Sequence, residues 1–307
     1  MSALANQPLS KMYYNENTIV FLNGEWIPAA QATASLYNQT MHYGNGIFEG
    51  IRAYDTPTGV KIFKAKEHFE RMLKSAATMH IKTDYTVEQL TKLSYGLLEK
   101  NGITNAYIRP LFYLDPNMSL VPVDKTNLFL CAWEWGKYLG DKLLRIKTSP
   151  YQRPNPKSCH VEAKTVGHYI NSILATTEAK QNGFDEAIML DGEGYVAEGP
   201  GANFFYEKDG CLYTCPLGNI LPGITRTTVL DLAKEHNIPV EVKLFTINDV
   251  KTADSAFFTG TAAEIAGIGS LDDYTFPLDW NDSLGKKLSI LYQHEVHATQ
   301  RNLKSLI

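Results

Sequence analysis

Short apolar segments joined by polar, glycine-containing turns recur along this chain of 307 residues. Asn23 and Gly24 lie between two apolar stretches in TIVFLNGEWIPAA, which is the strongest short-range signal for a β-hairpin. Similar glycine-containing tips interrupt EAIMLDGEGYVAE and ANFFYEKDGCLYTC, and they predict two further hairpins. The chain is therefore expected to fold around pairs of adjacent antiparallel strands.

Helical patterns separate these strand pairs. KEHFERMLKSAATMH places Phe69, Met72, Leu73, Ala76 and Met79 on one face, which predicts an amphipathic helix. Further helices are predicted in TVEQLTKLSYGLLEKNG, GHYINSILATTEAKQNG, ITRTTVLDLAKEHN and the tail WNDSLGKKLSILYQHEVHATQRN. Other strands are predicted in GIFEGIRAYDTPTGVKIF, AYIRPLFYL, NLFLCAWEW, LLRIKTSPYQ, VEVKLFT and SAFFTG. Together these elements predict a mixed α/β (α+β) fold.

The length of the chain predicts about two domains. GKYLGDK, residues 136–142, has the composition of a linker. We therefore expect a small N-terminal α/β domain at 1–136, a linker at 137–145 and a larger C-terminal domain at 146–307.

Composition and charge exclude several classes of partner. The net charge is −4 and no basic stripe stands out, so a nucleic-acid partner is not expected. No segment has the apolar length of a membrane span or of a secretion signal. Cys131, Cys159, Cys211 and Cys215 form neither a disulfide framework nor a zinc-like pattern. We expect reduced thiols, no metal site and a cytoplasmic protein.

Lys164 lies in HVEAKTVGHYINS, directly before a predicted helix. A lysine in this position is usually a solvated charge at the end of a loop. The alternative is a lysine whose amine forms a Schiff base with a cofactor. Only the rest of the chain distinguishes the two interpretations.

Two stretches have the features of anion sites. In LPGITRTTVLDLA, Gly223 allows a tight turn, and the helix predicted from Ile224 offers free N–H groups beside the Thr225 hydroxyl. In FFTGTAAEIAG, a strand runs into Gly260 and Thr261, where small residues let the backbone approach an anion. Taken singly, each stretch also fits an ordinary loop or strand end.

Charged side chains add three further candidates. Glu198 ends a strand in VAEGPGANFF and is placed to pair with a cationic ring nitrogen, or it is a surface carboxylate. Arg71 in HFERML suits a phosphate, or it lies on a solvated helix face. Tyr107 and Arg109 share one face of the strand AYIRP, where an inward arginine needs an anionic partner unless the strand is an edge strand.

The order and combination of these motifs resemble the class IV, fold-type IV pyridoxal-phosphate aminotransferases, and most closely their branched-chain amino-acid branch. The resemblance covers nearly the whole chain, through MHYGNGIFEGIRAY, HFERM, AYIRP, EWGKYLG, EAKTVGHYINS, AEGPGANFF, LPGITR and FTGTAAEI. It implies a small α/β domain plus a larger β-barrel-like domain with flanking helices. It also implies pyridoxal 5′-phosphate as cofactor, and amino transfer between leucine, isoleucine or valine and 2-oxoglutarate by a ping-pong mechanism.

The resemblance assigns cofactor roles to individual residues. Lys164 matches the Schiff-base lysine that also shuttles a proton, and Glu198 matches the carboxylate that faces the pyridine nitrogen. Tyr169 matches the phenol that hydrogen-bonds the ring oxygen O3′. The phosphate is expected to contact Arg71, Ile224, Thr225, Gly260 and Thr261.

The resemblance also implies a substrate pocket. Tyr107 and the amides of Thr261 and Ala262 match the groups that hold the α-carboxylate. The apolar side chain and the distal carboxylate of glutamate are expected to share one pocket, formed by Tyr43, Phe48, Arg109, Trp135, Tyr138 and Tyr169.

Some alternatives stay open. A D-amino-acid transaminase, an amine transaminase or an aminodeoxychorismate lyase is expected to share the lysine and the phosphate site, although Tyr107 and Arg109 favour the branched-chain branch. A non-catalytic protein that has kept the fold is a further alternative. The loop at 115–123 departs from the family pattern, and the family implies a homodimer or a higher homo-oligomer.

Overall fold

A computed structural model describes residues 13–136, 139–140 and 142–297. The chain forms two compact units. The first contains the described residues up to Asp55, then Gly59–Trp135 and Lys164–Gly167. The second contains Thr56–Thr58, the described residues from Gly136 to Ala163, and those from His168 onward.

Groups of strands are separated by helices along the described chain. The α-helices are α1 (Gln39–Tyr43), α2 (Ala65–Thr78), α3 (Val87–Asn101), α4 (Tyr169–Gln181), α5 (Ile224–Glu235), α6 (Ile247–Val250) and α7 (Leu284–Val296). The strands are β1 (Ile19–Leu22), β2 (Glu25–Pro28), β3 (Ile47–Phe48), β4 (Ile51–Thr56), β5 (Gly59–Ile62), β6 (Ala106–Leu114), β7 (Thr126–Trp133), β8 (Leu144–Thr148), β9 (Glu186–Leu190), β10 (Val196–Glu198), β11 (Asn203–Lys208), β12 (Cys211–Thr214), β13 (Val240–Val242), β14 (Ser255–Gly260), β15 (Glu264–Leu271) and β16 (Tyr274–Thr275).

The first unit is built on one sheet, in the order β2-β1-β7-β6-β4-β5, with β3 paired to β6. The apolar faces of α2 and α3 pack on it, and fully buried Phe69, Met72 and Leu90 belong to the shared core. Helix α3 begins with a capping box between Thr86 and Gln89, and it ends at the left-handed Gly102, where its sequence stops the helical pattern.

The second unit is built on a barrel. Strands β10, β9, β8, β15, β14 and β11 are paired in that order, and a further pairing of β10 with β11 closes the ring. The pairs β8–β9 and β8–β15 are parallel, whereas β14 pairs antiparallel with both of its neighbours. Apolar side chains such as Ile146, Phe204, Phe258 and Ile268 form the core.

The mixed α/β fold and its hairpins are confirmed. Asn23 and Gly24 connect β1 to β2, and both other glycine-containing tips connect paired strands. The predicted strand in VEVKLFT is shorter than expected and ends at Val242. The prediction omitted α1, α6, β15 and β16, and it did not separate β3 from β4, because these elements depend on packing and pairing more than on local pattern.

Lys164–Gly167 belong to the first unit, although the sequence-based division places them within 146–307. The reason is backbone hydrogen bonding, because Val166 N–H donates to the Gly46 carbonyl and Gly167 N–H donates to the Gly44 carbonyl, both at 2.9 Å. The division into functional domains stays a prediction, and part of the expected linker lies outside the described residues.

Within the described residues, none of the helices is long and apolar enough to cross a membrane. The same part of the chain contains no cluster of histidine, cysteine or acidic residues that could hold a metal ion. All four cysteines are free thiols.

Candidate active site

The backbone of Lys164 is fixed by residues of the first unit. Its N–H donates to the Ser75 hydroxyl at 3.1 Å, and its carbonyl accepts from the Phe48 N–H at 3.2 Å. The next residue, Thr165, forms an antiparallel bridge with Ile47. Because both backbone polar groups of Lys164 are engaged, its side chain starts from a defined position.

A close approach of two glycines continues this pairing. A Cβ atom on Gly44 would lie 2.5 Å from the Cα of Gly167, closer than any real contact. Gly44 also has a φ of +72°, in the left-handed region that favours glycine. Any side chain at Gly44 would therefore displace the segment that follows Lys164.

The side chain of Lys164 reaches an aromatic ring. Its Nζ lies 4.9 Å from the centroid of the Phe48 ring, within cation–π range. The residue is partly buried. Lys164 is therefore not a fully solvated lysine at the end of a loop, which is the usual setting of a lysine in such a sequence.

A buried ionic cluster lies beside this segment. Arg71 donates through Nε to Glu49 Oε1 at 2.6 Å and through Nη2 to Glu49 Oε2 at 2.8 Å. His68 Nδ1 lies 2.9 Å from Glu49 Oε2. The side chain of Arg71 is only 10% exposed, so it does not lie on a solvated helix face. The forked pairing fixes the plane of the guanidinium group.

Burial and charge act in opposite directions on this cluster. Burial alone would raise the pKa of Glu49, but the charge of Arg71 and the hydrogen bonds from Arg71 and His68 outweigh it and hold that pKa well below its usual range. Burial lowers the pKa of His68, and the charges of Arg71 and Lys164 lower it further, against the opposing effect of Glu49. We conclude that Glu49 is ionised and His68 is neutral at pH 7.

Strand β6 places Tyr107 and Arg109 on the same face, as its alternation predicts. Arg109 Nη2 donates to the Tyr107 hydroxyl at 3.0 Å, and the guanidinium carbon lies 4.7 Å from the centroid of the Phe48 ring. Arg109 Nε is buried and has no hydrogen-bond partner among the described residues. Since β6 is paired on both sides, Arg109 is not an edge-strand charge.

Trp135 extends the same cluster. Its ring packs edge-on against Tyr107, with centroids 4.8 Å apart. The structure therefore brings together four residues that the sequence assigns to the substrate pocket, namely Phe48, Tyr107, Arg109 and Trp135, and it places the amine of Lys164 beside one of them.

Tyr43 lies at the end of α1 and is 49% exposed. Its hydroxyl donates to the Met118 carbonyl at 3.2 Å, which links α1 to the loop at 115–123. A role for Tyr43 in a substrate pocket stays a prediction. Tyr138, predicted for the same pocket, lies outside the described residues.

In the second unit, Glu198 ends β10 as a buried carboxylate, 4% exposed. Its Oε2 accepts from Asn203 Nδ2 at 2.9 Å, and its Oε1 accepts from the Leu221 N–H at 3.1 Å. Arg153 Nε lies 2.9 Å from Oε1, close enough for an ion pair although its N–H is not aligned for a hydrogen bond. Glu198 is therefore not a surface glutamate.

Helix α5 begins next to this carboxylate. Asn203 Nδ2 also donates to the Leu221 carbonyl at 3.0 Å, which ties the loop before the helix to Glu198. Gly223 occupies the N-cap position of the helix. Because glycine has no side chain, this residue supplies no capping hydrogen bond. A Cβ at Gly223 would lie 1.9 Å from Asn203 Oδ1, so only glycine fits there.

The first turn of α5 has the features of an anion site. Its N–H groups at Ile224 and Thr225 lie at the positive end of the helix dipole. The Thr225 side chain is buried.

The second predicted anion stretch forms the tip of a hairpin. Gly260 ends β14 and Glu264 begins β15, so Thr261 and Ala262 lie in the turn. A Cβ at Gly260 would lie 3.2 Å from the Gly201 carbonyl oxygen, which leaves little room for a side chain. The roles of this tip in binding stay predictions.

Tyr169 is the first residue of α4 and is partly buried. It belongs to the second unit, whereas Lys164, five residues earlier, belongs to the first. Its expected hydrogen bond to a ring oxygen stays a prediction.

The structure adds residues that the sequence did not assign. Glu49 and His68 lie within the motifs GIFEGIRAY and HFERM. They come close to Arg71 because α2 packs against β3, which directly precedes Glu49. Ser75 is four residues beyond Arg71 on α2, a spacing that places both on one side of the helix. Arg153 and Asn203 contact Glu198 from other segments of the chain, so no local sequence pattern indicates these contacts.

The family described as amino-transferase class IV matches residues 46–271. The branched-chain-amino-acid aminotransferase of Pseudomonas aeruginosa is 39% identical over 297 residues, which cover 93% of this chain and 97% of that protein. That of Escherichia coli K12 is 36% identical, over 82% of this chain and 84% of the relative. The chain therefore belongs to the class IV aminotransferases and, within them, to the branched-chain-amino-acid aminotransferase family.

Solved structures of branched-chain aminotransferases have the same fold as this chain. A branched-chain aminotransferase of Thermoproteus uzoniensis, solved with norvaline, superposes with a TM-score of 0.89 at 36% identity, over 92% of this chain and 96% of that one. The branched-chain amino acid aminotransferase of Thermobaculum terrenum, solved in its PLP form, gives 0.87 at 30% identity, over 93% and 96%. The fold is that of the fold-type IV aminotransferases.

Proposed function

We propose that this protein transfers the amino group between the branched-chain L-amino acids leucine, isoleucine and valine and 2-oxoglutarate. The observation that carries this proposal is Arg109, a partly buried guanidinium that faces the ring of Phe48 and the hydroxyl of Tyr107. Such a group offers charge to the distal carboxylate of glutamate, while the adjacent rings offer apolar surface to an aliphatic side chain.

Pyridoxal 5′-phosphate is the cofactor that the residues fit. The uncapped start of α5 and the glycine before it suit a phosphate, and the buried carboxylate of Glu198 suits a protonated ring nitrogen. Arg71, Ile224, Thr225, Gly260 and Thr261 are proposed to hold the phosphate. When bound, this cofactor supplies an electrophilic carbonyl and an electron-withdrawing ring that stabilises negative charge left on Cα.

Three residues are proposed to act on the reacting atoms or the ring. Lys164 supplies the amine that holds the cofactor and then moves the proton from Cα of the amino acid. Its fixed backbone limits where that amine can reach. Glu198 keeps the ring nitrogen protonated by its negative charge, and Tyr169 donates to the ring oxygen.

The substrate residues divide by chemistry. The amides of Thr261 and Ala262, together with Tyr107, are proposed to hold the α-carboxylate. Tyr43, Phe48, Trp135 and Tyr169 are proposed to surround the side chain. A distal carboxylate is proposed to be received by Arg109, Tyr138 and, again, Tyr43. The pair Arg109–Tyr107 supports this division, because it joins a cation to a phenol beside an aromatic ring.

We also propose that the protein is cytoplasmic and forms a homodimer or a larger homo-oligomer, as the family resemblance implies. Light scattering of the purified protein, coupled to size exclusion, tests the assembly. A monomer at micromolar concentration with full activity would contradict it.

The decisive experiment is the visible absorbance of the purified protein with pyridoxal phosphate. Leucine alone is expected to bleach the absorbance of the bound cofactor, and 2-oxoglutarate is expected to restore it. D-Alanine in place of leucine is the control, and a response to D-alanine but not to leucine would reject the proposal in favour of a D-amino-acid transaminase. Lys164→Ala is expected to abolish turnover.

A second variant separates the two half-reactions. Arg109→Met keeps the volume near Phe48 but removes the charge. The bleaching by leucine is expected to remain within a few-fold of wild type, while the recovery with 2-oxoglutarate slows by about 100-fold or more, since a lost charged contact costs about 3 kcal/mol. Equal losses in both directions would show that Arg109 supports the pocket as a whole.

A further inference from the structure

A closed chain of contacts connects the Lys164 backbone to the Arg71 side chain. The N–H of Lys164 donates to Ser75 on α2, and its carbonyl accepts from the N–H of Phe48. The next residue after Phe48 is Glu49, whose carboxylate is forked by Arg71, again on α2. The chain of contacts therefore begins on α2 at Ser75 and returns to α2 at Arg71.

The spacing along α2 makes this path rigid. His68, Arg71 and Ser75 are separated by three and four residues, so they lie on one side of the helix. Ser75 and His68 are 2% and 1% exposed, and Glu49 is fully buried, so the contacts are made away from solvent. A helix of this length keeps its side-chain origins at fixed separations along its axis.

We propose that α2 is a positioning element that fixes the anion-binding Arg71 and the Lys164 amine relative to one another, with Glu49 and Ser75 as positioning residues. This inference rests on the proposed function, because it takes Arg71 as a phosphate contact and Lys164 as the reacting amine. Glu49 and Ser75 touch neither the substrate nor the cofactor in this scheme.

The two positioning residues have separable effects. Glu49 holds the guanidinium plane of Arg71 through two hydrogen bonds, so its loss alters the phosphate contact. Ser75 accepts from the backbone of Lys164, so its loss alters the amine and leaves the fork intact. Binding of a phosphate ligand and reaction at the lysine therefore report on two positions one turn apart on the same helix.

The test compares pyridoxamine 5′-phosphate with pyridoxamine. Neither compound reacts with the lysine amine, and only the first carries a phosphate. Glu49→Asp keeps the charge and shortens the side chain, and Glu49→Gln removes the charge. Both are expected to raise the dissociation constant of pyridoxamine 5′-phosphate by about tenfold or more, as a charge-assisted hydrogen bond is lost. Binding of pyridoxamine is expected to change less than twofold.

The Gln variant also separates positioning from charge balance. If Glu49 only neutralised Arg71, its loss would strengthen phosphate binding, because the arginine charge would no longer be compensated. Tighter binding of pyridoxamine 5′-phosphate by Glu49→Gln would therefore overturn the proposal. An equal weakening of both ligands would overturn it as well, since that result indicates a general loss of structure. Glu49→Asp keeps the test informative if Glu49→Gln fails to fold.

Ser75→Ala tests the contact to the Lys164 backbone, with Lys74→Ala, an exposed neighbour on α2, as the matched control. Ser75→Ala is expected to bind pyridoxamine 5′-phosphate within twofold of wild type. It is expected to react with pyridoxal phosphate, followed by absorbance, about tenfold more slowly, and to lose kcat with little change in KM for leucine. Wild-type rates in Ser75→Ala would overturn the inference.

Failure of this inference and failure of the proposed function give different results. A wild-type protein that binds pyridoxamine 5′-phosphate but does not transaminate leucine contradicts the proposed substrate and leaves the role of α2 testable by the same ligands. A wild-type protein that does transaminate leucine, with Glu49 and Ser75 variants indistinguishable from it, contradicts the inference alone.

Discussion

Glu49 in the first unit and Glu198 in the second are both buried carboxylates beside an arginine, but they are held differently. Arg71 grips both oxygens of Glu49 in an aligned fork, and His68 adds a contact to one of them. The described hydrogen bonds to Glu198 come from uncharged groups, namely the Asn203 amide and a main-chain N–H.

This difference bears on what each carboxylate can do. An aligned fork neutralises Glu49 and fixes Arg71, which suits a residue that positions another. Glu198 takes its hydrogen bonds from uncharged donors, and it pairs with the charge of Arg153, whose Nε lies 2.9 Å away without an aligned hydrogen bond. The two carboxylates therefore share their burial and differ in the geometry and charge of the groups that donate hydrogen bonds to them.

The largest expected effect is on stability at Glu49. Glu49→Gln leaves the Arg71 guanidinium buried without its counter-charge, and is expected to lower the free energy of unfolding by about 3–5 kcal/mol. Urea unfolding, followed by circular dichroism, measures the change. Glu193→Gln, an exposed carboxylate, is the control and is expected to change it by less than about 0.5 kcal/mol. A loss below about 1 kcal/mol at Glu49 would remove the distinction between the two carboxylates.

At Glu198 the expected effect is mainly on activity. Glu198→Gln keeps an acceptor for the Leu221 N–H but removes the negative charge proposed to face the ring nitrogen. We expect kcat to fall by about 100- to 1,000-fold, in the range of a lost electrostatic contact in an active site. Stability is expected to fall less than in Glu49→Gln. A variant with normal kcat and low stability would mean that Glu198 is a structural residue like Glu49.

The pH dependence of stability tests the protonation state of His68 in the cluster that it forms with Glu49 and Arg71. Because the pKa of His68 is lowered on folding, the unfolded chain takes up a proton there before the folded chain does. The stabilisation is thus fully present above the unfolded value of about 6.5 and is lost as the pH falls toward the folded pKa. The stability difference between wild type and His68→Asn is expected to shrink by up to about 1.4 kcal/mol per pH unit between pH 6.5 and 5.5.

His80→Asn, an exposed histidine just beyond α2, is the control for that series. A difference for His68→Asn that grew on acidification would mean that His68 is protonated in the folded protein and forms an ion pair with Glu49.

The smallest effect is expected at Cys215, a buried thiol near Glu198. Burial raises the pKa of this thiol, and the charge of Glu198 raises it further. Glu198→Gln is expected to accelerate its alkylation by iodoacetamide by about threefold to tenfold, measured by mass spectrometry of the Cys215 peptide. Glu193→Gln is the control again. An unchanged rate in Glu198→Gln would indicate that burial alone protects the thiol.

Much of the fold was predictable because it depends on local pattern. The turn at Asn23 and Gly24, the capping box at Thr86 and the apolar face around Phe69 are all readable within a few residues. The barrel, in contrast, was expected only from the family resemblance, because the pairing of β10 with β11 and the parallel pairing of β8 with β9 and β15 join distant segments. Register across such distances leaves no signal in one sequence.

The candidate site divides in the same way. The sequence assigned Lys164, Arg71 and Glu198 through their motifs, and the structure shows each in a buried or partly buried setting. Their supporting residues Ser75 and Asn203 were not predictable, because a serine in a helix and an asparagine after a turn have many ordinary uses. Only the three-dimensional contacts distinguish these two residues from others of their type.

The membership of Lys164–Gly167 in the first unit has a consequence for dissecting the gene. A fragment made of residues 146–307 would carry the lysine but not the segment from Gly44 to Phe48 with which it pairs. Such a fragment would place the amine on an unsupported stretch of chain. Chimaeras between relatives therefore need to exchange residues 44–48 and Lys164–Gly167 together. Exchanging one of them alone would combine a lysine segment from one protein with a pairing segment from another.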